Sequence, residues 1–214
     1  MLRELFNLKM ARQLSLSVLV AYIEGRTLYN LVKDNKFTRT LEIGFAMGTS
    51  AVWICQAFKD GGLKGTHIAI DPNQTSQYNS IGLFVIEKCG LSDFFSMMEY
   101  PSYRALPNIL EQVITKKLKK FQLIYIDGWH TFDYTLLDFF YSDLILEVGG
   151  AIVVDDIRHK SVKKAIEYIK KNYKHYKLVH NTPCYNHSNL AHSTQATFVK
   201  VNEDRRPWNF HVNF

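Results

Sequence analysis

The chain has 214 residues, 47% of them hydrophobic and 21% charged, with a formal net charge of +6 at pH 7. This size allows one large α/β domain or two small ones, and we expect a single domain over residues 1–214, with residues 1–36 as an N-terminal helical segment. The three cysteines have no CxxC spacing, which argues against a disulfide framework or a zinc site and makes a reducing cytoplasm the simpler setting.

The positive charge comes largely from lysines in two stretches, residues 115–120 and 159–177. Solvated helix faces account for such runs, although a nucleic acid partner stays open because clustered lysines are also its expected footprint. The apolar run near the N-terminus is too short to span a bilayer and has no signal-peptide cleavage site after it. We therefore predict a helix there and no membrane partner.

Apolar runs rich in β-branched residues alternate with helical patterns along the chain. The pattern predicts strands over 39–44, 66–71, 94–100, 121–127 and 151–156, with helices over 49–60, 75–89, from the third strand to about 119, 131–146 and 158–172. This alternation is typical of a Rossmann-like, doubly wound α/β fold, in which a mostly parallel sheet has helices on both faces. Two further strands, 176–181 and 195–201, are close enough in sequence to form an antiparallel pair.

Acidic residues recur where the predicted strands end. Glu42, Asp71, Asp127 and the adjacent pair Asp155 and Asp156 all lie at or near the carboxyl end of a strand. Ligands of open doubly wound sheets bind outside those ends, so these side chains should gather at one rim. The adjacent aspartates raise a specific question, because side chains alternate in direction along a strand and a buried carboxylate without compensation is costly.

The segment LEIGFAMGTS connects the first strand to the following helix. Its two glycines, Gly44 and Gly48, let the backbone approach a ligand closely, and the helix amides behind Ser50 offer partial positive charge. The spacing does not match the dinucleotide fingerprint GxGxxG, which weakens an NAD interpretation. Asp71, 23 residues after Gly48, is placed to accept hydrogen bonds from the ribose hydroxyls of an adenosine.

Four blocks, taken in order, resemble one known family: EGRTLYNLV (24–32), LEIGFAMGTSAVWI, AIDPN, and the long block from IYIDGWH to IVVDDI. The chain is similar to the class I S-adenosylmethionine (SAM)-dependent methyltransferases. Within them it resembles the small catechol and caffeoyl-coenzyme A type O-methyltransferases and their macrolide- and aminocoumarin-sugar relatives. The resemblance covers most of residues 24–157 and implies a seven-stranded sheet with a reversed last strand.

The resemblance also implies roles for individual residues. Glu42 and Gly44 would contact the methionine part of the cofactor, Ser50 its carboxylate and Asp71 its ribose. Ser102 and Tyr103, just after the third strand, would lie near the adenine, although Ser102 is equally suited to cap a helix. With Gly48, these residues form the predicted cofactor site.

The same family holds one divalent cation with acids at the ends of strands four and five. Here the matching residues are Asp127, Asp155 and Asp156, and three carboxylates with water and substrate oxygens suit Mg²⁺. His130, three residues after Asp127, occupies the position where the catechol-type enzymes have a lysine base, so it is the candidate general base. A histidine in a strand-to-helix turn can equally well cap the helix.

These matches predict a Mg²⁺-assisted O-methyltransferase acting on a small hydroxylated acceptor. Asp156 stands where many catechol-type enzymes have Asn, and Gly128 replaces a bulkier residue, so a catechol acceptor is not favoured. The alternatives are an RNA methyltransferase that uses the lysine-rich face, an NAD(P)-dependent oxidoreductase, and a non-enzymatic scaffold with the same fold. A homodimer also stays open.

Overall fold

The computed structural model describes the backbone of residues 8–181 and 195–213, and side chains from residue 22 onward within most of that range. The helices are α1 (Leu8–Asn35), α2 (Thr49–Asp60), α3 (Ile81–Lys88), α4 (Ser102–Ile114), α5 (Phe132–Ile145) and α6 (Lys160–Asn172). The strands are β1 (Arg39–Ile43), β2 (Thr66–Ile70), β3 (Phe95–Met98), β4 (Phe121–Ile126), β5 (Leu146–Val154), β6 (Tyr176–Asn181) and β7 (Ala196–Lys200). Over the described residues, no helix is both long and apolar enough to cross a membrane.

The seven strands form one sheet in the order β3-β2-β1-β4-β5-β7-β6. Strands β1 to β5 pair in parallel, whereas β7 pairs antiparallel with both β5 and β6. The predicted α/β fold, with a mostly parallel seven-stranded sheet and a reversed last strand, is confirmed. The order reverses direction between β1 and β4, so a crevice opens at the carboxyl ends of these strands.

Helices cover both faces of the sheet. Alternate strand residues such as Ile124 and Ile126 pack with α4, α5 and α6, while Leu123 and Tyr125 pack with α1 and α2. A smaller cluster joins α2 to α3. Because both faces are buried, the central strands are apolar without interruption rather than alternating, which is the pattern seen in the sequence. Each fully buried aliphatic side chain contributes about 1.5–3 kcal/mol to this core.

Several boundaries differ from those predicted. Helix α3 begins at Ile81 rather than at 75, because residues 72–80 form turns in which Gln74 bonds the backbone of both Ala46 and Gly82. Helix α5 runs directly into β5, so the Gly149-Gly150 pair lies within the strand, with φ of +90° at Gly149. The connection between β6 and β7 lies outside the described residues.

A buried ion cluster lies at the opposite end of the sheet, where the parallel strands begin. The Lys200 side chain is 2% exposed, and its Nζ lies 2.7 Å from the main-chain oxygen and 3.1 Å from Oδ1 of Asp143. The same carboxylate oxygen accepts hydrogen bonds from the Tyr176 hydroxyl and contacts His175. This cluster ties the end of β7 to α5, away from the crevice.

Candidate active site

The loop between β1 and α2 has positive φ at both of its glycines, +91° at Gly44 and +79° at Gly48. A Cβ at position 44 would lie only 1.9 Å from the main-chain oxygen of Asp127, so the ends of β1 and β4 can approach this closely only with glycine there. Gly48 caps α2 without a side-chain hydrogen bond. The predicted glycine loop therefore forms at the crevice and joins two of the strand ends.

Asp71 organises this loop. Its Oδ2 accepts hydrogen bonds from the backbone amides of Phe45 (3.0 Å) and Ala46 (2.8 Å), and its Oδ1 accepts one from Asn73 (2.8 Å). A carboxylate has about four acceptor positions, so three backbone bonds leave about one for a ligand hydroxyl. The side chain is nearly buried and borders a cavity.

Two cavities open at the carboxyl ends of the strands. The sheet-edge cavity, about 440 Å³, is lined by residues that include Gly44, Asp71, Ser102, Tyr103, Gly128, Trp129 and Tyr134. The α1 cavity, about 430 Å³, is lined by residues that include Glu24, Gly25, Leu28, Ser50, Trp53, Tyr125 and Asp155. Ala46, Tyr78 and Asp127 line both, so the two cavities meet at these three residues.

The two adjacent aspartates after β5 point to different partners. Asp155 is buried, and its Oδ2 accepts a short hydrogen bond from the Tyr125 hydroxyl and a longer one from Gln195 Nε2 at 3.4 Å. Its Oδ1 accepts the backbone amide of Asp156 at 2.7 Å. Asp156 has φ of +52°, which turns its half-exposed carboxylate toward histidines instead. The two adjacent carboxylates are therefore kept apart, because Asp155 is buried and Asp156 is half-exposed.

His130 lies between two acids. Its Nε2 is 3.3 Å from Oδ1 of Asp127 and 3.3 Å from Oδ2 of Asp156. The ring stacks on His159, with centroids 5.2 Å apart, and His159 Nε2 is 3.8 Å from Asp156 Oδ2. The Tyr125 hydroxyl lies 3.5 Å from Asp127 Oδ2 and also donates a hydrogen bond to Asp155, so it links these two acids. The predicted base and the three predicted acids therefore occupy one continuous polar rim.

The pKa values of two acids and of His130 are raised at this rim. Burial, with the charge of Asp127 second, raises the pKa of Asp155 to about 8. Burial also raises the pKa of Asp127, against the lowering effect of His130. The hydrogen bond that His130 donates to Asp127 raises the pKa of His130. Burial therefore disfavours the charged forms of Asp127 and Asp155, and a bound cation would favour them.

The comparisons with known proteins decide the family. The model of a family described as "Methyltransferase domain" matches residues 41–157, which is more than half of the chain. The chain belongs to this methyltransferase family. The resemblance to class I SAM-dependent methyltransferases inferred from the sequence is confirmed. A search of curated proteins gives no match to this methyltransferase.

Solved structures from other organisms share its fold. Cofactor-bound Rv0187 from MTB has 17% sequence identity and a TM-score of 0.66, over 84% of this chain and 80% of that one. The O-methyltransferase from Bacillus cereus in complex with S-adenosylhomocysteine (SAH) has 18% identity and a TM-score of 0.63, over 83% and 80%. The O-methyltransferase TomG from Streptomyces achromogenes, involved in tomaymycin synthesis and bound to SAM, has 15% identity and a TM-score of 0.64, over 84% and 80%.

The structure brings most of the predicted cofactor residues of the methyltransferase to the cavity walls. Gly44, Asp71, Ser102 and Tyr103 line the sheet-edge cavity, and Ser50 lines the α1 cavity. Glu42 and Gly48 line neither cavity. Glu42 is fully buried behind Ser50, whose hydroxyl donates a 2.6 Å hydrogen bond to it. The individual contacts with the cofactor stay predictions.

Three aromatic rings stand together in the sheet-edge cavity. The Tyr134 ring centroid is 6.4 Å from that of Tyr103 and 6.4 Å from that of Trp129. Tyr103 and Trp129 are exposed, so their faces are available to a flat apolar group such as an adenine. Trp129 therefore lies in the same cavity as Asp71.

The predicted metal ligands lie at one rim but do not converge as a single set. Within the described part of the chain, the ligand atoms that come within 4.8 Å of one another at this rim belong to His130, Asp156 and His159. Asp155 has both oxygens in hydrogen bonds to protein groups. The donor set of carboxylates and imidazoles, together with the raised pKa values, fits a divalent cation. The Mg²⁺ site stays a prediction.

Sequence reasoning missed three residues of this region. Asp138 on α5 is 1% exposed, burial raises its pKa to about 7, and the Ser102 hydroxyl lowers it only in part. An acid inside the apolar stretch LLDFF was a visible signal for it. Tyr125 lies two residues before Asp127, hence on the same side of β4, which was also visible. Gln195 comes from the β7 end of the chain, and no local pattern indicates its contact with Asp155.

Proposed function

We propose that this SAM-dependent methyltransferase transfers a methyl group to the hydroxyl oxygen of a small acceptor, with a divalent cation, Mg²⁺, at the acid rim. The observation that carries the proposal is the meeting of two cavities at Asp127, next to His130. One cavity supplies Asp71 and an aromatic cluster, which suit an adenosine. The other supplies Tyr125 and buried carboxyl groups, which suit a polar acceptor.

The chemistry divides between these residues. The acceptor oxygen forms a bond to the methyl carbon as the carbon–sulfur bond breaks, which releases SAH, while the hydroxyl proton passes to His130. A cation held by Asp127, Asp155 and Asp156 would lower the pKa of a coordinated hydroxyl. For Asp155 to take part, its oxygen must be shared with the Tyr125 hydroxyl. Asp127 contacts His130 and so orients the imidazole toward the meeting point of the cavities.

The position of the lysines and the size of the α1 cavity bear on the choice between a small acceptor and RNA. The exposed lysines of α6, such as Lys163 and Lys164, are spread over a helix that is also explained as a solvated face. A size of about 430 Å³ for the α1 cavity suits a small molecule. We therefore favour a small hydroxylated acceptor.

Ligand-induced stabilisation tests the donor half of this proposal. SAH at about 100 times its Kd should stabilise the protein by about 2.7 kcal/mol, seen as a rise in melting temperature. Asp71→Ala should remove most of this rise, because the acceptor for the ribose is lost, whereas Asp93→Ala, at an exposed acid, should keep it. An unchanged rise in Asp71→Ala would refute the role of Asp71.

Transfer of labelled methyl from SAM to a panel of phenols, sugars and RNA tests the acceptor half. Label in a phenol or sugar ether supports the proposal. Label in RNA alone, with a steep dependence of RNA binding on salt, would replace it with the RNA alternative.

A further inference from the structure

Two histidines and one acid lie together at the edge of the acid rim, near the starts of α5 and α6. His130 Nε2 lies 3.3 Å and His159 Nε2 lies 3.8 Å from the same oxygen, Oδ2 of Asp156. These three atoms all lie within 4.8 Å of one another. The side chains of His130, Asp156 and His159 are 33%, 40% and 56% exposed, so a cation and water can reach them.

The spacing of these atoms suits a tetrahedral metal ion. Ligand atoms at about 2.0–2.1 Å from Zn²⁺ in a tetrahedron stand about 3.4 Å from one another. The distance of 3.3 Å between His130 and Asp156 already has this value. The distance of 3.8 Å to His159 exceeds it by about 0.4 Å, and His159 is the most exposed of the three side chains. Three protein ligands also leave a fourth position for water.

The kind of donor separates this cluster from the predicted Mg²⁺ ligands. Mg²⁺ takes oxygen ligands, whereas imidazole nitrogen suits Zn²⁺ and other transition-metal cations. Two imidazoles and one carboxylate therefore favour a transition metal over Mg²⁺. The two ligand sets have only Asp156 in common, since the predicted Mg²⁺ set also contains Asp127 and Asp155.

The backbone holds the three side chains in this arrangement. The amide of His159 donates a 2.9 Å hydrogen bond to the main-chain oxygen of Asp156, in a turn that begins with the positive φ of Asp156. The Ser161 hydroxyl donates a short hydrogen bond to the main-chain oxygen of His130, which ties the loop before α5 to the first turn of α6. The two imidazole rings lie 9° from parallel. Two separate segments of the chain thus present their imidazoles to one carboxylate oxygen.

A second cluster of possible ligands contains a cation of its own. Asp143, His175 and Asp204 also lie within ligand distance of one another. The Lys200 ammonium, however, is 3.1 Å from Oδ1 of Asp143 and supplies the positive charge there. Asp156, by contrast, has ion-pair contacts only with histidines among the described residues. The cluster at the acid rim is therefore the better candidate for a metal ion.

We propose that His130, Asp156 and His159 bind one transition-metal cation such as Zn²⁺, and that this cation inhibits methyl transfer. The inhibition rests on the proposed function, in which His130 takes the acceptor proton and Asp156 helps to hold Mg²⁺. A cation on His130 Nε2 uses the lone pair that a base needs. The same cation withdraws Asp156 from the Mg²⁺ ligands. Zn²⁺ thus opposes Mg²⁺ through a shared carboxylate.

Calorimetric titration with zinc chloride tests the site in protein freed of metal by a chelator. His159→Ala removes one of the three ligands, and we expect the Kd of Zn²⁺ at this site to rise by about a hundredfold or more. Loss of a residue that only orients a ligand already costs about 10- to 100-fold. The Kd of Mg²⁺ should stay within about twofold in the same variant, because imidazole is not its ligand. His211→Ala, at an exposed histidine of the C-terminal segment, is the matched control and should change neither Kd.

Co²⁺ provides a second measurement of the ligand geometry. Co²⁺ absorbs visible light more strongly in tetrahedral than in octahedral surroundings. We expect wild-type protein and His211→Ala to develop this absorption when Co²⁺ is added, and His159→Ala to lack it. Absorption that is equal in wild type and His159→Ala would exclude His159 as a ligand.

Methyl transfer with saturating Mg²⁺, measured with and without Zn²⁺, tests the inhibition. At a free Zn²⁺ concentration of about ten times its Kd, about one-tenth of the wild-type turnover should remain, as expected for binding at a single site. His159→Ala at the same Zn²⁺ concentration should keep most of the turnover that it shows without Zn²⁺. The comparison is made within each protein, so a change in basal turnover does not affect it.

Other outcomes would overturn the inference. An equal Kd of Zn²⁺ in wild type and His159→Ala would refute the site. A similar loss of Zn²⁺ and Mg²⁺ affinity in His159→Ala would show damage to the whole rim and would also refute it. Zn²⁺ that binds at this site and leaves wild-type turnover unchanged would refute the inhibition. Protein that transfers no methyl group under any condition would refute the proposed function instead, and the zinc titration, which needs no turnover, would still decide the site.

Discussion

Replacing the buried Asp138 by asparagine should stabilise the protein, and more so in alkaline than in acidic solution. Asp138 is 1% exposed, and burial raises its pKa from 3.8 to about 7. The folded protein therefore binds this proton more tightly than the unfolded chain does. Its contribution to the free energy of unfolding decreases as the pH rises from about 4 to about 7 and stays low above that range.

The size of the effect follows from the difference of about 3 pKa units, at about 1.4 kcal/mol per unit. At pH 8 the buried acid lowers the stability by about 4 kcal/mol, and at pH 5 by about 1.5 kcal/mol. Asparagine carries no charge at either pH and keeps a carbonyl oxygen for Ser102. Asp138→Asn should thus gain about 2.5 kcal/mol more at pH 8 than at pH 5, which is about 5–10 °C in melting temperature for a chain of this length.

Calorimetric melting of both proteins without ligand, at pH 5 and pH 8, measures this difference directly. Comparing variant with wild type at each pH cancels the other titrating groups. Asp133→Asn is the matched control. Asp133 is exposed on the same helix and its pKa is lowered, so this variant should show no such gain. A gain in Asp138→Asn that is equal at the two pH values would refute the argument.

Two predictions concern turnover. His130→Gln should lower kcat by about a hundredfold or more, because the proton acceptor is lost. The Kd for SAH should stay the same, because the residues that line the cofactor cavity are unchanged. An unchanged kcat in a methyl-transfer assay would exclude His130 as the base. EDTA should suppress methyl transfer and added Mg²⁺ should restore it, as lowering the pKa of the acceptor hydroxyl requires a cation; full activity in the chelator would leave Asp127, Asp155 and Asp156 with a structural role alone.

The local pattern of apolar residues was sufficient to predict the strands that are buried on both faces. Apolar runs with β-branched residues placed β1, β2 and β4 to within a residue of their observed ends, because a strand buried on both faces admits almost nothing else. The gathering of strand-end acids at one rim also followed from the sheet. Parallel strands end at the same edge, so Asp127 and Asp155 had to be neighbours once the topology was right.

The contacts that escaped prediction depend on the order of strands in the sheet or on the direction of single side chains. His67 reaches Glu42 because β2 lies next to β1, and Gln195 reaches Asp155 because β7 lies next to β5. The sequence separation of these pairs is large, so no periodic pattern reports them. The turn of Asp156 away from its neighbour depends on a positive φ that aspartate rarely adopts.

The two cavities differ in the origin of their walls. Every residue that lines the sheet-edge cavity falls within 41–157, the range that the family model matches. The α1 cavity is also lined by Glu24, Gly25 and Leu28, which lie before that range. Helix α1 lies against α2 so tightly that a Cβ at Gly25 would be 2.1 Å from the Trp53 ring. A change in this one helix can therefore reshape the α1 cavity alone. Under the proposed function, the acceptor preference could then change between related chains while the cofactor cavity stays the same.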